Sequence, residues 1–290
     1  MADLPKGDKK LLNAWAFYDW ANSVYTLVIS SAVFPIFYEA LFSERSHYII
    51  VFGFSLKNSA LISFVTAFAF LVVAFISPIL SGISDYIGNK KSFMKFFCYL
   101  GALSCIGLYW FNLDSIYLSL LFHFLGLIGF WGSWVFYNSY LPDIAFTEQQ
   151  DAISAKGFSY GYIGSVILLV VNLAMIMMPD VFGISGTKGE AAMKAMRYSF
   201  VMVGIWWILF SQYTYYYLPK GNKIVASKIK QHIVFNGYKE LQKVWHILAE
   251  NEALKKYLAS FFVYSMAVQT VMLIATYFGA QEIQWASQSE

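Results

Sequence analysis

The sequence predicts an all-α, polytopic membrane protein, and three observations carry that prediction. Of the 290 residues, 59% are hydrophobic and only 13% are charged, about half the charged share of an ordinary soluble domain. A globule so poor in charge has no surface to offer water, and lipid is the solvent that fits it. Seven apolar stretches approach the ~20 residues needed to cross the hydrocarbon core. Lys and Arg are also sorted: fifteen of the 20 fall on connections that share a side with the amino terminus. By the positive-inside rule that side is cytoplasmic, and seven spans then leave the carboxyl terminus outside.

The expected spans are 15–42, 59–80, 96–111, 116–137, 158–178, 198–218 and 257–278. They group as a six-helix bundle (1–218), a linker (219–256) and one further helix (257–290). Residues 1–14 are polar and carry Lys6, Lys9 and Lys10. The apolar run behind them is longer than a signal-peptide core, so it is expected to stay as the first span. Within it Asp19, Ser23, Thr26 and Ser30 recur at helical spacing, with Tyr18, Asn22 and Tyr25 on an adjoining stripe. Polar groups in a span are costly and turn towards protein or water. Tyr18, Asp19, Asn22 and Tyr25 are therefore candidates for a polar path, joined by Asn172 and Gln269 from the fifth and seventh spans. The serines read as glue between helices. Asp19 is placed about one turn inside the cytoplasmic edge, and Pro35 is expected to kink the outer end.

The second-to-third connection reads Gly82-Ile-Ser-Asp85-Tyr-Ile-Gly88-Asn-Lys90-Lys91. Gly82 and Gly88 permit a tight turn, and Asp85 can accept N–H groups at a helix start. Lys90 and Lys91 hold the connection inside. Gly126, Gly129 and Ser133 form one small-residue face; Gly157, Gly161 and Gly164 form another, and both suit close helix packing. In the linker Val234, Tyr238, Leu241, Trp245 and Leu248 line one face of an expected basic amphipathic helix on the inner membrane surface. His123 lies well inside a span, where a lone histidine is more often hydrogen-bonded to a neighbour than a proton carrier.

Several chemistries are excluded. Cys98 and Cys105 are seven apart in one apolar run, roughly 10 Å apart in a helix and beyond bridging distance. There is no C-x-x-C pair, H-E-x-x-H, Walker loop or G-x-S-x-G. No enzyme activity, metal or cofactor is expected. A net charge of +3 is too small for a nucleic-acid binder.

Four strings point to known families. The string from Gly82 to Lys91 resembles the second-to-third-loop signature of the major facilitator superfamily, G-x-x-x-D-x-x-G-x-R/K-R/K. It departs at Tyr86, where that signature usually has a basic residue. The opening Ala14-Trp-Ala-Phe-Tyr-Asp-Trp-Ala-Asn22-Ser-Val-Tyr25 resembles the first helix of the vacuolar amino-acid effluxer family, the autophagy-related branch with bacterial relatives. Leu141-Pro-Asp143-Ile-Ala145 and Val268-Gln-Thr270 resemble the same family. The resemblance implies two six-helix bundles that rock about a midplane site, here moving a small solute, an amino acid. On that reading Gly82, Asp85, Gly88, Lys90 and Lys91 form a cytoplasmic gating loop. The chain reads as truncated after its seventh helix, so its expected partners are the lipid bilayer, a small solute and a missing second half-bundle. A bacterial plasma membrane or a vacuolar membrane suits the topology. A non-transporting membrane scaffold is the alternative.

Overall fold

The structure, a computed structural model, describes residues 4–42, 47–87, 89–220, 242 and 245–282. Among them six helices are long and apolar enough to cross a membrane. Inside hydrocarbon a backbone must satisfy its own N–H and C=O groups, and a helix does so within one segment. The first span, Lys9–Ala40, has three parts: α1 (Lys9–Val24), a π-helical segment (Tyr25–Val33) and α2 (Phe34–Ala40). Then come α3 (Asn58–Ile87), α4 (Lys90–Gly107), α5 (Ile116–Ser139), the short α6 (Leu141–Ile144), α7 (Thr147–Met177) and α8 (Lys188–Tyr217). The residues of the seventh expected span lie in α9 (Glu252–Glu282), a 31-residue helix.

The first span is the spine of the bundle. Of its most apolar window 56% is buried within the protein, against 17% for α3. Thus α3 lies outside and the first span within. Helix α1 packs on α7 and α8, α4 on α5 and α8, and α3 on α5. Asp8 starts the spine by accepting N–H groups from Lys10 and Leu11 at 2.8 and 3.1 Å, as an N-cap should. The helix therefore begins six residues before the expected Trp15. Asp19 is ten residues in, about 15 Å along the helix from its start.

Glycines set the helix spacing. A Cβ on Gly129 would fall 2.3 Å from the Cα of Gly101, so the backbones of α4 and α5 touch. On α7, a Cβ at Gly157 or Gly161 would come within 2.6 Å of Asp19 Oδ2 or Ser23 Oγ respectively, and one at Gly164 within 2.9 Å of the Trp20 ring. Gly126 is looser, with its nearest neighbour, Tyr25 Oη, at 3.4 Å.

The fold is all-α as expected, and three details were not expected. First, a short β-hairpin joins the first span to α3: β1 (Tyr48–Val51) pairs antiparallel with β2 (Phe54–Lys57). Phe52 and Gly53 turn it with φ of 49° and 82°, the positive pair that a two-residue hairpin turn demands. Second, Gly82 and Asp85 lie in a helix and not in a loop, because α3 continues to Ile87. Thirty residues make a helix about 45 Å long, longer than the ~30 Å hydrocarbon core. Gly88 falls outside the described residues. Third, the cap of α4 is Asn89 and not Asp85: the Asn89 side chain accepts from Ser92 Oγ at 2.9 Å and Ser92 N at 3.4 Å. Of the expected amphipathic helix, Val234, Tyr238 and Leu241 lie outside the described residues. Trp245 and Leu248 fall in a helical stretch, 245–250.

The α4–α5 contact predicts an asymmetric response to added bulk. Gly129→Leu should cost at least ~1–3 kcal/mol by overpacking, while Gly126→Ala should be tolerated. Thermal unfolding of the two variants in detergent checks this, with a lowered midpoint only for Gly129→Leu.

Candidate functional site

The expected polar stripe of the first span is divided by the structure. Asp19 and Ser23 face the glycine row of α7. Asp19 is 5% exposed, and Tyr137 Oη on α5 donates to its Oδ2 at 3.0 Å. Asn22 is fully buried and its Oδ1 accepts from Ser23 Oγ at 3.3 Å. Tyr18 is buried with its ring 5.0 Å from that of Tyr137, and the Tyr25 ring stacks on Phe130 at 5.0 Å. Thr26 turns back to the carbonyl of Ser23 at 2.8 Å. Asn172 on α7 is fully buried, and its amide meets no hydrogen-bond partner among the described residues. Gln269 on α9 is exposed.

Ser30 goes elsewhere. A π-helix takes more residues per turn than an α-helix, so Ser30 does not continue the Asp19–Ser23 face. It lines a cavity of about 200 Å³ together with Ile62, Ser63, Thr66, Ala67 and Phe70 of α3, His123 and Leu127 of α5, and Thr270 and Ile274 of α9. The π segment lies immediately before Pro35. Proline cannot donate to the carbonyl four residues back and its ring crowds that turn, which accounts for a loosened helix in place of a simple kink. None of the six path candidates lines the cavity. His123 does, with Nε2 3.3 Å from Thr66 Oγ1 and its ring stacked on Phe34 at 4.6 Å. Its Nδ1 has no hydrogen-bond partner among the described residues. The lining thus presents four hydroxyls and one imidazole among apolar carbon.

At the amino-terminal end of the bundle the two lysines of the expected gating loop clip helix ends together. Lys90 Nζ donates to Asp143 Oδ2 at 2.8 Å and to the Ser139 carbonyl at 3.2 Å. The partners are 18% and 52% exposed, so this ion pair stabilises by only about 0–1 kcal/mol. Lys91 is 6% exposed and donates to the Leu218 carbonyl, at the end of α8, at 2.7 Å. Lys6 Nζ and Gly7 N donate to the carbonyls of Pro142 and Ile144, at 2.6 and 2.7 Å. Short α6 therefore joins the amino-terminal segment to the start of α4. Among the described residues no group of three or more His, Cys, Asp or Glu could hold a metal ion.

Residues 7–289 match the family described as "Vacuole effluxer Atg22 like". The chain belongs to that family. It is 33% identical, over 92% of its length, to a Bacillus subtilis (strain 168) protein described as "Uncharacterized MFS-type transporter YxiO", covering 60% of that relative. Over 47% of its length it is 24% identical to "Autophagy-related protein 22-2" of Aspergillus oryzae (strain ATCC 42149 / RIB 40), covering 24% of it. The chain thus spans less than two thirds of the length of either relative. No solved structure matches it.

In this Atg22-like chain the three strings that carry the family resemblance have separate places. The first-helix string, 14–25, forms the buried spine. Leu141–Ala145 forms α6 and its clip to Lys90. Val268–Thr270 lies on α9, where Thr270 closes one side of the cavity. Gly82 stands three residues ahead of Asp85, one fewer than the superfamily glycine, so only the part from Asp85 onwards keeps the superfamily spacing.

The Tyr137–Asp19 contact predicts a coupled pair. Tyr137→Phe should destabilise the chain by about 1–3 kcal/mol, the range for stranding a buried acceptor. In an Asp19→Leu background the same change should cost much less. A double-mutant cycle of unfolding midpoints measures the coupling.

Proposed function

We propose that this chain supplies one half of a major-facilitator-type transporter that moves a small polar solute, an amino acid, by alternating access. The cavity beside the π segment carries the reading. It is walled by the first span, α3, α5 and α9, and so draws on both the six-helix bundle and the helix after the linker. Pockets with a few convergent polar groups on apolar walls suit small solutes. Family membership and the description of the Bacillus subtilis relative support the transport class. The amino-acid assignment rests on the resemblance of the first-helix string alone.

In this reading the solute sits against Ser30, Thr66, His123 and Thr270. The Asp19–Tyr137 cluster holds the spine rigid behind it. The lightly buried α3 offers an apolar face to a second bundle that rocks against the first, and the Lys90 and Lys91 clips hold the amino-terminal end shut. The amino terminus faces the cytoplasm, supported by the lysine asymmetry. The bacterial relative supports a bacterial plasma membrane.

Two measurements test the proposal. Ser63→Cys should react with a water-soluble methanethiosulfonate reagent in intact membranes, and millimolar amino acids should slow that reaction. A Ser63→Cys that stays unreactive in every buffer removes the cavity as a path. Liposomes holding the 290-residue chain alone should show no amino-acid uptake above protein-free liposomes. Saturable uptake there refutes the need for a second bundle.

A further inference from the structure

The β1–β2 hairpin carries apolar surface that the protein leaves uncovered. Tyr48, Ile50, Phe52 and Phe54 are 62%, 72%, 80% and 70% exposed. The other side of the hairpin is seated: Val51 is buried, and Ile49 and Leu56, opposite one another in the register, pack against the core. The hairpin is therefore two-faced: Tyr48 and Ile50 share the uncovered side with Ser55 and Lys57, while Phe52 at the turn and Phe54, on Val51's side of the register, add exposed rings at the tip.

Its depth is fixed at both ends. At the root, β2 runs directly into α3, and Asn58 ties that junction to the end of the first span. Asn58 Nδ2 donates to Glu39 Oε2 at 3.0 Å, and Tyr38 Oη donates to the Asn58 carbonyl at 2.9 Å. At the tip, Phe52 N donates to Tyr117 Oη at 3.2 Å and the two rings lie 5.2 Å apart. Tyr117 is the second residue of α5. Strands of four residues reach only ~13 Å. A hairpin whose root and tip both touch helix ends lies flat across those ends and does not project into water.

We propose that this hairpin is an interfacial anchor, bedded in the headgroup–acyl boundary of the membrane face opposite the amino terminus. Aromatic side chains favour that depth, where an apolar ring meets wet headgroups. Lipid is the occupant because the uncovered surface continues along a spanning helix: Tyr117, Leu118 and Leu121 of α5 are 53%, 50% and 46% exposed. The anchor holds the outer end of α3 at fixed depth, which α3 needs because so little of it is packed against protein.

The test is a nitroxide spin label at Phe52→Cys, with Ile50→Cys as a second site, in vesicles of phosphatidylcholine and phosphatidylglycerol. Cys98 and Cys105 are buried, and the unsubstituted chain serves as the labelling control. Power saturation compares collisions with oxygen, which partitions into lipid, and with a water-soluble nickel chelate. At both hairpin sites oxygen access should exceed nickel access several-fold, with the reverse at Asp114→Cys in the exposed α4–α5 connection. Nickel access at the hairpin equal to that at Asp114→Cys puts the hairpin in water and overturns the proposal. Exclusion of both reagents shows a protein cover, such as a second copy of the chain, and overturns it too.

Discussion

A helix carrying a carboxyl group and an asparagine amide can sit in lipid only if other helices cover it on every side. That constraint organises the molecule. Covering Asp19 needs backbone as close as Gly157 and Gly161 allow, so α7 must lie against α1. Satisfying its oxygen needs Tyr137, so α5 must reach the same level. On the remaining side α8 sends side chains into the carbonyls of the spine: Thr214 Oγ1 donates to Ala14 at 2.7 Å, and Trp206 Nε1 to Trp20 at 3.0 Å. Lipid tails are as apolar as leucine and provide little drive for helices to associate. The bundle is held by such contacts, each modest, and by the van der Waals fit its glycines permit.

The same spine also makes the cavity. Above Tyr25 the helix changes pitch, its polar groups change direction, and Ser30 faces α3 and α5 where Asp19 faces α7. A uniform α-helix would keep both on one face. The π segment thus separates a structural polar cluster near the amino-terminal end from a solute-sized space further along, within one continuous span. Proline at position 35 is the residue that makes a regular hydrogen-bond ladder impossible there.

Much of this was legible in the sequence, and the failures share a cause. Composition and charge sorting are summed over many residues, so the membrane class and the six spans could be read. Gly157, Gly161 and Gly164 share one helix face at regular spacing, a local property that periodicity reveals. Gly101 was not seen, because its contact with Gly129 belongs to two helices at once. Ser30 was read as glue because a 3.6-residue period was carried through a segment that does not obey it. Thr66, His123 and Thr270 come from three separate helices, and no spacing rule joins them. Gly82 and Asp85 were placed in a loop because the end of the apolar run was taken for the end of the helix. The hairpin is not legible from runs of about 20 apolar residues, because each of its strands is four residues long. Only Phe54–Lys57 alternates there; Tyr48–Val51 is a continuous apolar run, which periodicity cannot tell from a piece of buried helix.

The central claim is that the first span lies inside and α3 lies outside. A lipid-soluble diazirine, photolysed in liposomes containing the chain and mapped by peptide mass spectrometry, tests it directly. The account predicts dense labelling of Phe64, Phe68 and Phe75 on α3, which are 62%, 56% and 69% exposed, and far less from Ala14 to Tyr25, where Ala14, Tyr18, Asn22 and Val24 are fully buried and Phe17, Trp20 and Ser23 are half-buried. Equal labelling of the two helices would contradict it, since a polar helix open to lipid could not be the axis of this bundle.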